Sequence, residues 1–417
     1  MQRAPGWQRV NGWGVVAFAA LLVTVPLVLE GVLLLMLPLM GLGVLLSVGA
    51  LCRQPGDGAI VAALLAYGCW WLVDAWRSGA ELWPWSMAFW PLWGVVVLLW
   101  LRRFSPPFHY WYYGIVTGAL GAGVVAVVER LLGAERAGGH INAIPFGNLS
   151  LLLAAMSLVL ALMILESGRH RASRRGLVAA LLAAGFALVA MVLSGTRGAW
   201  IVVPLMGATI GIAYHRSLFR LINPWVAVGC MVVCGAALLI LPVGVTLRLM
   251  EMAQEVGAYH RTGEADTSYG ARVEMWRAAW LLFQSAPWLG WGETELITKR
   301  DMLIADDAVS PAIHYYDQLH SDILDTLARR GIVGGLGLAM LYGVPAWLFL
   351  QYRRHACPAV KALVVSGILL VMAFLIFGMS QSMLRDSRGL IAYLGFLAIL
   401  WALLQRQLSL LHKDTNR

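Results

Sequence analysis

The chain reads as an all-α integral membrane protein of about 12 transmembrane helices, with one large helical loop on one face. Three observations predict this. Of its 417 residues, 60% are hydrophobic and only 13% charged, with 19 tryptophans. Apolar runs of about 20 residues recur from end to end, enough to cross a hydrocarbon core of roughly 30 Å as helix; backbone groups in lipid must bond internally, which helices achieve. The basic residues, finally, gather in alternate loops.

The spans fall near residues 11–30, 31–51, 59–76, 83–101, 109–128, 148–166, 176–193, 199–214, 222–247, 331–352, 359–384 and 388–411. With the N-terminus placed inside, the inner loops hold 17 of the 31 Lys and Arg, against three acids, Asp57, Glu166 and Asp414. The outer side holds the other 14 basic residues and 19 acidic ones, so +14 inside and −5 outside make up the chain's +9. A positive-inside split of this kind puts both termini in the cytoplasm. Topology accounts for the basic balance, and nucleic acid is not needed to explain it.

Arg3 and Arg9 precede the first span, and Ala17-Phe18-Ala19 mimics a cleavage site. It lies too early in a run that continues to Leu29, so an uncleaved first span is expected. The five cysteines, Cys52, Cys69, Cys230, Cys234 and Cys357, all map to spans or inner loops. No outer-face disulfide is expected.

Three parts follow: residues 1–247 with spans one to nine, residues 248–330 as an outer loop, and residues 331–417 with spans ten to twelve and the tail. Within the loop, Arg272 to Phe283 reads as an amphipathic helix with Trp276 and Trp280 at the lipid boundary. Pro287, Gly290 and Gly292 break it. A polar, acidic stretch from Glu293 to Asp307 follows. After Pro311 a second helical pattern carries Leu319, Ile323, Leu324 and Leu327 on one stripe and ends at Gly331. A secondary transporter of 12 spans is the strongest reading of another class, but two six-span halves would place the longest loop centrally and inside. Here the central loop is short, the long loop follows span nine, and the halves show no repeat.

Candidate chemistry sits on the outer side. Arg197, in Ser194-Gly195-Thr196-Arg197-Gly198-Ala199-Trp200, lies between two apolar spans, where an ionised group needs a partner or must snorkel. Anion holder and helix-end anchor both fit; the Gly and Ser neighbours permit close backbone approach. Arg272 opens the first outer helix, where free N–H groups favour an anion and a guanidinium adds a fork; an ordinary solvated residue also fits. His320 can accept a proton near neutral pH, and Tyr316 or Asp317 could orient its ring, although a lone histidine also reads as structural. Asp386 and Arg388, before the last span, could support the same cavity or simply anchor the span ends as an ion pair. Glu293, Glu295, Asp306 and Asp307 could hold a hard cation but show no ligand spacing, and there is no Gly-x-Ser-x-Gly elbow.

Three elements taken together resemble the bacterial O-antigen ligase and O-antigen polymerase superfamily. They are Ser194 to Trp200, then Arg272 with Trp276 and Trp280 leading to Pro287-Trp288-Leu289-Gly290-Trp291-Gly292, and His320-Ser321-Asp322-Ile323-Leu324 running to Arg330-Gly331-Ile332-Val333-Gly334. The earlier loop from Arg136 to Gly147 is similar to the family's pattern as well. The family usually reads His-Asn where this chain has His320-Ser321. Overall layout is most like the lipopolysaccharide O-antigen ligase.

The resemblance implies a glycosyltransferase of the bacterial inner membrane, with a GT-C-like all-helical architecture and a periplasmic active site. Its donor would be a glycan on undecaprenyl pyrophosphate. The acceptor would be lipid A–core in a ligase, or a second lipid-linked glycan in a polymerase. His320 would be the general base, and Arg197 and Arg272, with Arg136, would hold the pyrophosphate. Membrane lipids would surround the site, and neither cofactor nor metal would be needed.

Overall fold

The computed structural model describes residues 6–25, 55–139, 141–168, 174–221 and 242–415. Among these residues it is all helical: α1 (Gly6–Leu21), α2 (Pro55–Arg77), α3 (Leu82–Arg103), α4 (Phe108–Leu131), α5 (Ala143–Glu166), α6 (Arg174–Ser194), α7 (Arg197–Leu221), α8 (Pro242–Thr262), α9 (Ser268–Ser285), α10 (Gly292–Ala305), a 3-10 turn (Pro311–Ile313), α11 (Asp322–Gln351), α12 (Pro358–Phe377) and α13 (Ser387–Thr415). Among the described residues nine helices, α2 to α7 and α11 to α13, are long and apolar enough to cross a membrane. Each coincides with an expected span. The expected span at 31–51, most of that at 222–247, and Cys52, Cys230 and Cys234 lie outside the described residues.

α5 sits at the centre and buries residues all round its circumference, among them Phe146, Leu152, Met156 and Leu160. A helix apolar on every side belongs inside a bundle. The helix ends are pinned at two opposite faces. On one, Asp57 accepts Arg102 Nε at 2.8 Å and Trp401 Nε1 at 2.7 Å, and Lys361 pairs with Glu166 at 2.7 Å. On the other, Thr196 Oγ1 donates to the Ala143 carbonyl at 2.9 Å and Arg136 Nε to the Ser194 carbonyl at 2.8 Å.

The second face also carries α9, α10 and the first turns of α11. These share a small apolar core of their own, with Met275, Ala279, Leu282, Leu296, Ile313, Leu319 and Ala328. α11 is interrupted at Gly331, which takes φ 60° and ψ −160°. A Cβ there would lie 2.3 Å from the Trp288 carbonyl carbon. Both the positive φ and the close approach call for glycine. Ile332 and Val333 donate their N–H groups to the Pro287 and Trp288 carbonyls at 2.8 and 3.3 Å, which locks the break.

Candidate active site

His320 occupies the turn between the 3-10 helix and α11, with φ 47°. A non-glycine residue in this region costs about 1–3 kcal/mol and persists only where its surroundings enforce it. Here Leu319 N–H donates to Asp325 Oδ1 at 3.1 Å, and Trp276 Nε1 reaches the His320 carbonyl at 3.5 Å. Ser321 then caps α11, accepting the Leu324 N–H at 3.3 Å. Serine and asparagine are equally good caps, so Ser321 starts the helix as well as an asparagine would. Asp322 donates its N–H to the Gly378 carbonyl at 2.7 Å, and its Oδ1 accepts the Leu384 N–H at 3.0 Å. The turn between α12 and α13 is thereby drawn against His320.

The imidazole is half-buried, with the Tyr316 ring edge-on at 5.5 Å and the Gln381 side chain beside it. Burial, and next the positive charge of Arg272, push its pKa below 6.5, against the opposing pull of Gln381 and Asp325. A histidine kept neutral in this way can accept a proton.

Arg272 lies in the second turn of α9, one turn later than the sequence reading placed it, because the helix starts at Ser268 with Thr267 as its cap. Its Nε donates to the Ser380 carbonyl at 3.2 Å, and Nη1 donates to Ser268 Oγ at 2.7 Å. Ser380 also meets the start of α7: a Cβ on Gly198 would lie 2.5 Å from its Oγ. Arg197 is the first residue of α7, and its side chain lies outside the described residues. Arg136, exposed, grips the turn between α6 and α7 through Ser194. The segments around residues 197, 272 and 320 thus converge on the turn between α12 and α13, and Arg136 joins them only through Ser194.

Asp386 Oδ1 accepts the backbone N–H of Arg388 at 2.8 Å and so caps α13. Among the described residues these two side chains form no ion pair with each other. Both line a cleft of about 540 Å³, together with Asn142, Asp317, Gln318 and Gln381.

Residues 179–339 match the O-antigen ligase family. The matched stretch contains Arg197, Arg272 and His320, so the resemblance read from the motifs holds. An uncharacterized protein of Haemophilus influenzae is similar too, 26% identical over 284 residues, which are 67% of this chain and 70% of that protein. Together with the apolar helices, the family match supports a membrane glycosyltransferase of the O-antigen ligase and polymerase type.

Beside these motifs lies an ion network whose pairings leave no pattern in the sequence. Glu293 pairs with Arg329 Nη1 at 3.2 Å, with Arg330 Nη2 at 2.8 Å and with Arg385. Asp325 Oδ2 takes Arg329 Nε at 3.1 Å, and Asp74 Oδ2 takes Arg330 Nε at 3.0 Å. Arg330 also stacks over the Trp71 ring at 3.4 Å. Burial alone would raise the Glu293 pKa, but Arg329, Arg385 and Arg330 hold it well below the usual carboxylate range. Glu293, a candidate cation ligand by sequence, here has arginines on both oxygens. The network joins α2, α10 and α11 to the turn that carries Gln381. Two adjacent arginines ahead of Gly331 were the available signal, since buried arginines require acids.

Proposed function

We propose that the protein is an inverting, metal-independent glycosyltransferase that moves O-antigen glycan from undecaprenyl pyrophosphate to lipid A–core, completing lipopolysaccharide. The reaction would run at the periplasmic face of the inner membrane, in a GT-C-like frame with both termini cytoplasmic. One observation carries this reading. His320, kept neutral by burial and by Arg272, stands against the same turn that receives Arg272 and the start of α7.

In this mechanism the acceptor hydroxyl oxygen attacks the anomeric carbon, and the bond from that carbon to the pyrophosphate oxygen breaks. The hydroxyl proton passes to His320, and the electron pair leaves with undecaprenyl pyrophosphate. That leaving group is already a stable anion, so cations matter more than an acid. Arg272 and Arg197, with Arg136, neutralise its growing charge, and planar guanidiniums suit phosphate oxygens. A single displacement inverts the anomeric centre.

The overall layout favours ligase over polymerase. Deletion of the gene tests the choice. A ligase leaves lipid-linked polymer of normal length and bare lipid A–core. If single repeat units are still transferred and long polymer disappears, the acceptor is lipid-linked glycan instead.

A further inference from the structure

We infer that the cleft between the start of α5, residues 317–318 and the turn before α13 is the acceptor's glycan subsite, holding the sugar whose hydroxyl is presented to His320. The inference rests on the transfer reaction proposed above and adds where one substrate sits.

Gln381 carries the first argument. It is 6% exposed, lines the cleft, and its Oε1 has no hydrogen-bond partner among the described residues besides the His320 ring next to it. When His320 holds no proton toward it, this buried acceptor lacks a donor, at a cost of about 1–3 kcal/mol that a ligand hydroxyl would recover. The same side chain touches the His320 imidazole, so a sugar bonded to Gln381 lies within reach of the base.

The lining gives the ligand class. Asn142, Asp317, Gln318, Asp386 and Arg388 all present planar groups with two or more polar atoms, which can bridge neighbouring hydroxyls. Asn142 spends its Oδ1 on the Ile144 N–H at 2.9 Å and keeps its NH₂ group for a ligand. The Arg388 guanidinium makes no hydrogen bond or ion pair among the described residues, although it is half-buried.

Charge argues against the pyrophosphate as occupant. Asp317 and Asp386 would repel it and outweigh the single Arg388 guanidinium, and the Arg385 charge is already committed to Glu293. Arg272 grips Ser380 from α9 and does not line the cleft. Donor cations gather at Ser380, and the neutral, hydroxyl-seeking cleft opens at the next residue, Gln381, so the two substrates have separate places at one turn.

The test uses the full chain in lipid nanodiscs, titrated separately with deacylated core oligosaccharide, glycan-bearing undecaprenyl pyrophosphate and undecaprenyl pyrophosphate alone. Gln318→Ala, at a half-exposed position, and Arg388→Gln should each weaken oligosaccharide binding about tenfold, a change of roughly 1.4 kcal/mol. Both should leave undecaprenyl pyrophosphate binding unchanged. Weakening of undecaprenyl pyrophosphate instead would overturn the inference, as would no effect on any probe. If the glycan-bearing lipid-linked probe is the one weakened, and the core oligosaccharide is not, the cleft holds the donor's glycan and the inference falls.

Discussion

The carboxylate of Asp325 accepts the Leu319 N–H at 3.1 Å and so fixes, from inside the protein, the residue that precedes His320. Its second oxygen is bonded by the fully buried Arg329. Asp325→Asn keeps an acceptor for Leu319 but removes a charge that favours protonated His320. The acid limb of the pH–rate profile should therefore move to lower pH. Asp325→Ala loses the acceptor too, and a base misplaced by about 1 Å can cost ~10²-fold in kcat. A profile that Asn leaves unmoved would reduce Asp325 to a structural part.

His320→Ala should abolish transfer while the protein still folds and inserts, since a general base contributes about 10²–10⁴-fold. Because its pKa is pushed down, the neutral, active form persists below pH 6.5, and the wild-type acid limb should lie under that value. Glycan transfer measured against pH decides this. Near-normal transfer by the alanine variant would remove His320 from the reaction.

Arg272→Lys and Arg197→Lys should each lose about 10²–10³-fold in kcat, as expected for a lost donor to developing charge. Lysine keeps the charge but not the fork. At position 272 it would also give up the paired bonds to Ser380 and Ser268. Full activity in Arg272→Lys would point to packing as its role.

Glu293→Gln should destabilise the protein by about 3–5 kcal/mol, because three guanidiniums lose their shared anion. Thermal unfolding in detergent reads this directly. Glu293 has its folded pKa depressed, so its stabilisation is complete above the usual glutamate value near 4.5 and is lost as pH falls toward the folded value. The wild type should lose stability on acidification more steeply than the variant.

Transfer by purified enzyme should be equal with and without EDTA, using acceptor chelated beforehand because lipopolysaccharide itself binds divalent cations. Activity lost in EDTA and restored by Mg²⁺ would turn attention to Glu295, Asp306 and Asp307 as ligands.

Much of the frame was legible because length and hydropathy act locally. Each of the nine described spans is a continuous apolar run, and the break at Gly331 was marked by the end of the Leu319–Leu327 stripe. His320, Arg197 and Arg272 stood out as candidates through the order of their motifs. What escaped depends on distance or on backbone. Asp74 meets Arg330, and Glu293 meets Arg385, across stretches of chain that leave no local pattern. The left-handed φ of His320 is imposed by its neighbours and not by its residue type. The register of Arg272 was recoverable in principle: Thr267 is a good cap, and its accepted N–H from Gly270 at 3.0 Å starts the helix earlier than its apolar face suggests.

Four arginines on this face share one habit. Arg136 binds the Ser194 carbonyl, Arg272 that of Ser380, Arg77 that of Leu289 and Arg329 that of Asp317. A main-chain carbonyl is present whatever side chain occupies the position. Tolerance to substitution is therefore lopsided: each guanidinium is hard to replace, while the residues it reaches are free to drift without breaking these contacts. A pairwise search for matched partners would pass over such contacts, since only one side of each is written in residue type.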